Sequence, residues 1–203
     1  DFAARNSWPY VLIDEGWNAS WTPEVVRYAR ARGVDVLLWF HWTALDTPQE
    51  RDRMLPLVTS WGVAGLKIDF MDSDSQARFR WYDEILPATA ALKLMVNFHG
   101  ASTPRGLQRT WPHVLTQEAV RGAEQFRTRA ATNTIFPFTR NVGGGMDYTP
   151  VTWAVTDRDT TDAHEVALSV VYESGWQHLA DRFETYEAHP EALRTLNQIP
   201  TVW

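Results

Sequence analysis

The 203-residue sequence contains no cysteine, which removes disulfides, thiolate nucleophiles and thiolate metal sites together. It has no basic excess either: 19 Lys and Arg stand against 25 Asp and Glu, giving a net charge of -6 and a pI near 5.5. A phosphate-binding surface needs clustered cations, so nucleic acid is not an expected partner. No apolar stretch approaches the roughly 20 residues of a membrane span, and the first residues lack the charged and apolar regions of a signal peptide, so no membrane partner is expected. Several catalytic signatures are also missing. There is no G-x-S-x-G elbow, no H-E-x-x-H zinc motif, no Walker loop and no paired H-x-H at a strand end.

What remains is an ordinary globular balance, 44% hydrophobic and 22% charged, with a heavy aromatic load that includes 11 Trp. Most of these rings are expected in the core; the excess also suits a carbohydrate site, because aromatic faces stack on the apolar faces of sugars. The length suits one domain spanning 1–203.

A repeated grammar organises the first half. "YVLID" (10–14) reads as a strand, and "TPEVVRYARARG" (22–33) as a helix with Thr22 as cap, Pro23 in its first turn and Gly33 at its end. "VDVLLWF" (34–40) is the next strand, and "TPQERDRMLPLVTSWG" (47–62) again opens on Thr-Pro and closes on Gly. "AGLKID" (64–69), a helix over about 75–91 and "KLMVNF" (93–98) continue the series, with Pro56 and Pro87 interrupting the second and third helices. These apolar runs read as parallel strands buried on both faces. A doubly wound sheet and a (β/α)8 barrel both fit the pattern. The glycine-rich turn of the nucleotide-binding sheet is absent after the first strand, whereas polar residues recur where apolar runs stop, as they do in barrel enzymes.

The second half is less regular. Strands are expected near 114, 135 and 176, the last in "GWQHLAD" (175–181), with a helix at 162–173. That makes seven strands. The reading is therefore a (β/α)8 barrel without its first strand, part of a larger protein, and the final "IPTVW" reads as a domain edge.

The strand ends supply Asp14, Trp17, His41, Lys67, Asp69, Asp72 and His99. Each has a plain structural alternative: Asp72 or Ser73 as a helix cap, Asp14 as a turn former, each histidine as a core or rim residue. Lys67 and Asp69 are two apart in a strand and share a face, so they form either an internal ion pair or a nucleophile with its activating cation. An Asp nucleophile belongs to retaining glycosidases, which need a second carboxyl group about 5–5.5 Å away as acid and base. Glu118 and Glu124 are the candidates, and an exposed, salt-bridged segment is the alternative for both.

Taken together, "DFAARNSWPYVLIDEGW", "GVAGLKIDFMD", "LMVNFHGASTPRGLQRTWPHVLTQEAVRGAE", "PFTRNVGGGMDYTP" and "LADRFETYEAHPEALRTLNQIPTVW" resemble the catalytic barrel of glycoside hydrolase family 97, bacterial exo-acting α-glycosidases. The resemblance covers essentially the whole chain. It implies the retaining branch, because the inverting α-glucosidases have glutamates where this sequence has Trp42 and Gly100 and lack the aspartate found here at Asp69. On that reading Asp69 is the nucleophile and Glu124 the general acid/base. Asp14, Trp17, His41, Lys67, His99, Arg140 and Asp147 shape the sugar subsite.

The resemblance also implies calcium near Glu118 and Glu124, whose oxygens are the right ligand type. It implies an N-terminal β-sandwich and a C-terminal β-domain flanking the barrel, and a periplasmic or secreted location. The substrate expected is an oligosaccharide or glycoside carrying a terminal α-galactose. A β-L-arabinopyranoside has nearly the same ring stereochemistry. An inverting α-glucosidase and a non-catalytic sugar-binding or inactive truncated barrel are the rival readings.

Overall fold

The computed structural model describes residues 1–125 and 127–201, so Val202 and Trp203 of the expected domain edge lie outside the described residues. The chain falls into two compact units, one of Asp1–Ser102 with Leu107–Val114, the other of Thr103–Gly106 with Leu115 onward.

The first unit is a run of βα repeats. Helix α1 (Phe2–Arg5) precedes β1 (Tyr10–Ile13), α2 (Thr22–Arg30), β2 (Asp35–His41), α3 (Pro48–Trp61), β3 (Gly65–Asp69), α4 (Gln76–Ala91), β4 (Met95–Phe98) and α5 (Leu107–Thr110). Strands β1 to β4 pair in parallel in chain order, with Leu12 beside Leu37, His41 beside Asp69 and Lys67 beside Asn97. A fifth strand, β5 (Val114–Gln117), follows in the same order and begins at the last residue of this unit.

Helix boundaries follow local chemistry. Thr47 and Glu50 form a reciprocal capping box at the start of α3, the Thr47 N–H reaching Glu50 Oε2 at 2.8 Å and the Glu50 N–H reaching Thr47 Oγ1 at 3.2 Å. The Thr47 N–H and the Thr47 hydroxyl, both donating to Glu50 Oε2, hold the Glu50 carboxyl below its ordinary range. The helix runs through Pro56 and stops at Gly62, whose φ of 90° lies in the left-handed region. Helix α4 likewise runs through Pro87.

Two expected caps move. Trp21 precedes α2, and the Thr22 hydroxyl bonds the Asn18 carbonyl at 2.7 Å, one turn back. Ser75 caps α4 by accepting the Arg78 N–H, which leaves Asp72 and Ser73 outside that role.

Strands β2, β3 and β4 are covered on both faces, as parallel strands under helices must be. Val36, Leu38, Phe40, Leu66, Ile68, Val96 and Phe98 pack with Val26, Leu55, Val58, Trp81, Ile85 and Leu86 from the helices. Each such side chain contributes about 1.5–3 kcal/mol when fully buried. Most of the tryptophan excess goes to packing: Trp81, Trp153 and Trp176 are buried, and Trp17, Trp42 and Trp61 pack against the first unit's core.

The second unit holds the rest of β5, then α6 (Ala130–Asn133), two 3-10 turns (Phe136–Phe138 and Asn141–Gly143), α7 (Asp162–Val171), α8 (Phe183–Glu187) and α9 (Pro190–Leu196). Its core gathers Ala123, Met146, Tyr148, Leu168 and Tyr172. Two expected strands are absent among the described residues. The one near 135 is a 3-10 turn around Pro137, which has no N–H to give a ladder. The one at 175–181 has no ladder because its polar groups bond elsewhere: the Trp176 carbonyl accepts the Ser174 hydroxyl, and the His178 N–H goes to Asp147. Among the described residues an isolated parallel bridge, Gln117 to Met146, extends the pairing of β5.

Candidate active site

In the first unit the strands deliver polar groups at their C-terminal ends. Asp69, the last residue of β3, is half-buried, and both its oxygens are engaged: Oδ1 accepts the Phe70 N–H at 2.7 Å and Oδ2 accepts the Trp39 indole N–H at 3.1 Å. The indole of Trp17 in turn donates to the Trp39 carbonyl at 2.6 Å and packs edge-on against Phe40 and Trp61. Trp17 thus braces the residue that holds Asp69.

Beyond Asp69 the chain turns sharply, with φ of 63° at Phe70 and 43° at Asp72, and the Asp72 N–H donates to the Gly100 carbonyl at 2.7 Å. Positive φ at a bulky residue is uncommon and marks a backbone held by its surroundings. It presents the Phe70 ring, 48% exposed, stacked on His41 with centroids 5.5 Å apart. The Thr43 N–H donates to His41 Nδ1 at 3.3 Å, so the neutral ring carries its proton on Nε2.

Lys67 is buried and its Nζ stands 2.9 Å from Asp14 Oδ2, so the ion pair expected with Asp69 is made instead with Asp14, tying β3 to the end of β1. His99 is buried, with its backbone N–H on the Ile68 carbonyl at 2.9 Å.

The second unit carries the other candidates. Glu118 is buried, Glu124 is exposed, and their carboxylate oxygens lie within 4.8 Å of one another. The Arg140 guanidinium, expected to face sugar, donates to five backbone carbonyls, those of Gln117, Glu118, Ala119, Gly144 and Gly145. It knits the acidic loop to the glycine-rich one. Burial pushes this guanidinium down to about 10, with the charge of Glu118 opposing that shift.

Asp147 is fully buried and accepts both the His178 N–H and His178 Nδ1, the latter at 2.6 Å. The Trp176 indole, a donor only, bonds His178 Nε2 at 2.6 Å. His178 therefore has its proton on Nδ1 and both ring nitrogens engaged.

Two carboxylates that share a loop and approach this closely form a hard, oxygen-only donor pair. That chemistry fits calcium, for which the pair supplies a minority of the usual six to eight oxygen ligands.

Trp39, Phe70, His178 and the buried pair Arg129–Glu165 are not among the residues that the sequence pattern singles out. Trp39 was within reach, because it lies two residues before His41 on β2 and so shares its face. His178 was hidden by reading 175–181 as a strand.

A parallel βα series with carboxylates, lysine and histidines at its strand ends defines a protein of the class that places enzyme sites on that edge. Within that class, residues 1–120 match the family described as Glycoside hydrolase 97. The chain belongs to glycoside hydrolase family 97.

Among curated proteins it is 50% identical, over its full length, to the "Probable retaining alpha-galactosidase" of Streptomyces bingchenggensis. It is 31% identical, again over its full length, to the retaining α-galactosidase of Bacteroides thetaiotaomicron. It spans 35% of the length of each. All of it superposes on 37% of a β-arabinopyranosidase crystal structure, with a TM-score of 0.92 and 27% identity. A family 97 enzyme from Pseudoalteromonas sp. strain K8 in complex with panose gives a TM-score of 0.85 at 24% identity over 39% of its length, a likeness of fold alone.

Proposed function

We propose that this chain is the catalytic portion of a retaining, exo-acting α-galactosidase, its five parallel strands being part of a (β/α)8 barrel that works in the periplasm or outside the cell. The observation that carries the reading is Asp69: a half-buried carboxylate at a strand end, aimed by two N–H donors. The 50% identity to a relative named for that activity supports it, as does the presence of Trp42 and Gly100 where the inverting branch has glutamates.

An Asp69 oxygen attacks the anomeric carbon. The bond from that carbon to the leaving oxygen breaks, and the oxygen takes its electron pair and a proton from Glu124. Glu124, now a carboxylate, removes a proton from water, whose oxygen attacks the same carbon and releases Asp69 and galactose. Two inversions retain the configuration.

Lys67, on the nucleophile strand, and Asp14 form an ion pair that holds a polar face toward sugar hydroxyls. His41 and Phe70 offer a flat surface to a ring. His99 and Asp147 are the further polar residues this reading assigns to sugar binding, and Arg140 fixes the loop that carries Glu118. Glu118 and Glu124 are the residues that would hold calcium, which when bound supplies positive charge to orient sugar oxygens and to offset the repulsion between the two carboxylates. An N-terminal β-sandwich and a C-terminal β-domain are the proposed neighbours in the longer protein.

A β-L-arabinopyranosidase is the second reading, favoured by the 0.92 TM-score to a β-arabinopyranosidase and by the shared ring stereochemistry. The test is hydrolysis of a nitrophenyl glycoside panel by the full-length protein, with and without chelator, following the first-released anomer by proton NMR. α-Galactose released first from the α-galactoside is expected. Initial release of the β-anomer would contradict the retaining assignment, and preference for the arabinoside would select the second reading.

A further inference from the structure

Arg129 and Glu165 take no part in the chemistry above, yet both are fully buried and paired at 2.8 Å. Apolar residues of similar volume often stabilise a core as well as a buried ion pair does, so what the pair holds in place is informative.

Arg129 donates from Nε and Nη2 to Glu165 Oε1, from Nη2 also to Thr152 Oγ1, and from Nη1 to the Ala123 carbonyl at 3.2 Å. Glu165 in turn accepts the Thr160 hydroxyl and the backbone N–H groups of Val151 and Thr152, at 3.2 and 3.3 Å. The segment it grips is strained: Thr149 and Val151 are β-branched residues with φ of 55° and 67°. Such backbone persists only where the surroundings over-determine it.

That segment grips the acidic loop. The Ala123 N–H donates to the Tyr148 carbonyl at 3.0 Å, and a Cβ on Gly122 would stand 2.7 Å from the same oxygen, so the approach needs glycine there. Both backbone groups of Ala123 are thus fixed, the N–H by the strained segment and the carbonyl by the guanidinium. The next residue is Glu124.

We propose that the buried Arg129–Glu165 pair is a positioning device for Glu124, setting the backbone from which the acid/base carboxyl reaches the leaving oxygen. The inference rests on the assignment of Glu124 made above. A misplacement of about 1 Å can lower a rate by roughly a hundredfold, so a clamp one residue away has leverage on the chemistry.

The test uses Arg129→Lys in the full-length protein. Lysine keeps a positive charge opposite Glu165, but one ammonium cannot replace a planar fork that also reaches Thr152 and Ala123. The quantity measured is kcat/KM, which reports the first displacement, for α-galactosides whose leaving groups run from dinitrophenolate to a sugar alcohol. A good leaving group departs without a proton; a poor one needs Glu124.

The expected result is a loss at least about tenfold greater on the poor leaving groups, within the roughly 10²–10⁴ that general acid catalysis supplies. Added to Glu124→Gln, Arg129→Lys should bring no further leaving-group dependence. A loss uniform across the series, while Glu124→Gln alone discriminates, would overturn the clamp and leave Glu124 standing. No discrimination by Glu124→Gln would overturn the assignment and the clamp with it. Should Arg129→Lys not yield folded protein, Thr152→Val loosens the guanidinium without moving charge and is read by the same criteria.

Discussion

Asp69 and Glu124 are supported in different ways. Asp69 ends a buried parallel strand whose place is fixed by ladder pairing on both sides, and short-range donors from Phe70 and the neighbouring strand's Trp39 aim its oxygens. Glu124 is an exposed residue on a loop without a ladder, and its neighbour Ala123 is fixed by residues 25 and 6 positions further along the chain, Tyr148 and Arg129. Regular structure can hold a catalytic side chain with few specific contacts. A loop needs a dedicated buried polar network, and that network becomes the sensitive part.

The largest effect expected from breaking one of these supports is on the loop side. Glu165→Gln leaves Arg129 buried without its counter-charge, and should lower stability by about 3–5 kcal/mol at pH 7, read from thermal or denaturant unfolding. The effect has a pH signature. Burial raises the Glu165 carboxyl, but the bonds from Thr160 and Arg129 outweigh it and leave the group below its ordinary value of 4.5. A carboxyl lowered on folding stabilises the protein above about pH 4.5, and that contribution fades as pH falls through the folded-state value. The gap between wild type and Glu165→Gln should therefore narrow in acid. A gap that is flat from pH 7 to 3 would deny the ion pair its role.

On the strand side the corresponding change is milder. Trp39→Phe keeps the packing surface and removes one hydrogen bond to Asp69, worth about 1.5–3 kcal/mol for a charged acceptor. The expected outcome is a fall of roughly tenfold to a hundredfold in kcat, with a loss of stability no larger than that one bond supplies. If kcat holds and the midpoint drops, Trp39 is a packing residue only.

Smallest of all is Thr47→Ala, which dismantles the capping box of α3 far along the chain from either carboxyl. It should cost about 1 kcal/mol of stability and leave kcat/KM as it was. Together the three changes separate support of the fold from support of the chemistry.

The same contrast explains what the sequence made legible. The βα repeats could be read because a continuous apolar run, a Thr-Pro start and a Gly stop are local signals, and β1 to β5 fall where those signals place them. Helices α3 and α4 pass through Pro56 and Pro87 because burial of Leu55, Val58, Ile85 and Leu86 outweighs one missing backbone bond at each proline.

The second unit was read less well for a physical reason. Its segments near 135 and 176 have strand-like composition, yet a proline turn and side-chain bonds to Ser174 and Asp147 take up groups that a ladder needs. The Arg129–Glu165 pair joins residues 36 apart by geometry that no local pattern encodes. Glu118 and Glu124 were found as a residue type, but that one is buried and the other exposed depends on contacts made elsewhere in the chain.

The central claim is that Asp69 is the nucleophile, and azide rescue tests it most directly. In the full-length protein Asp69→Ala should abolish turnover of nitrophenyl α-galactoside, and added azide should restore it with formation of β-galactosyl azide, the product of a single inversion at the vacated position. Sustained galactose release by Asp69→Ala without azide would contradict the assignment.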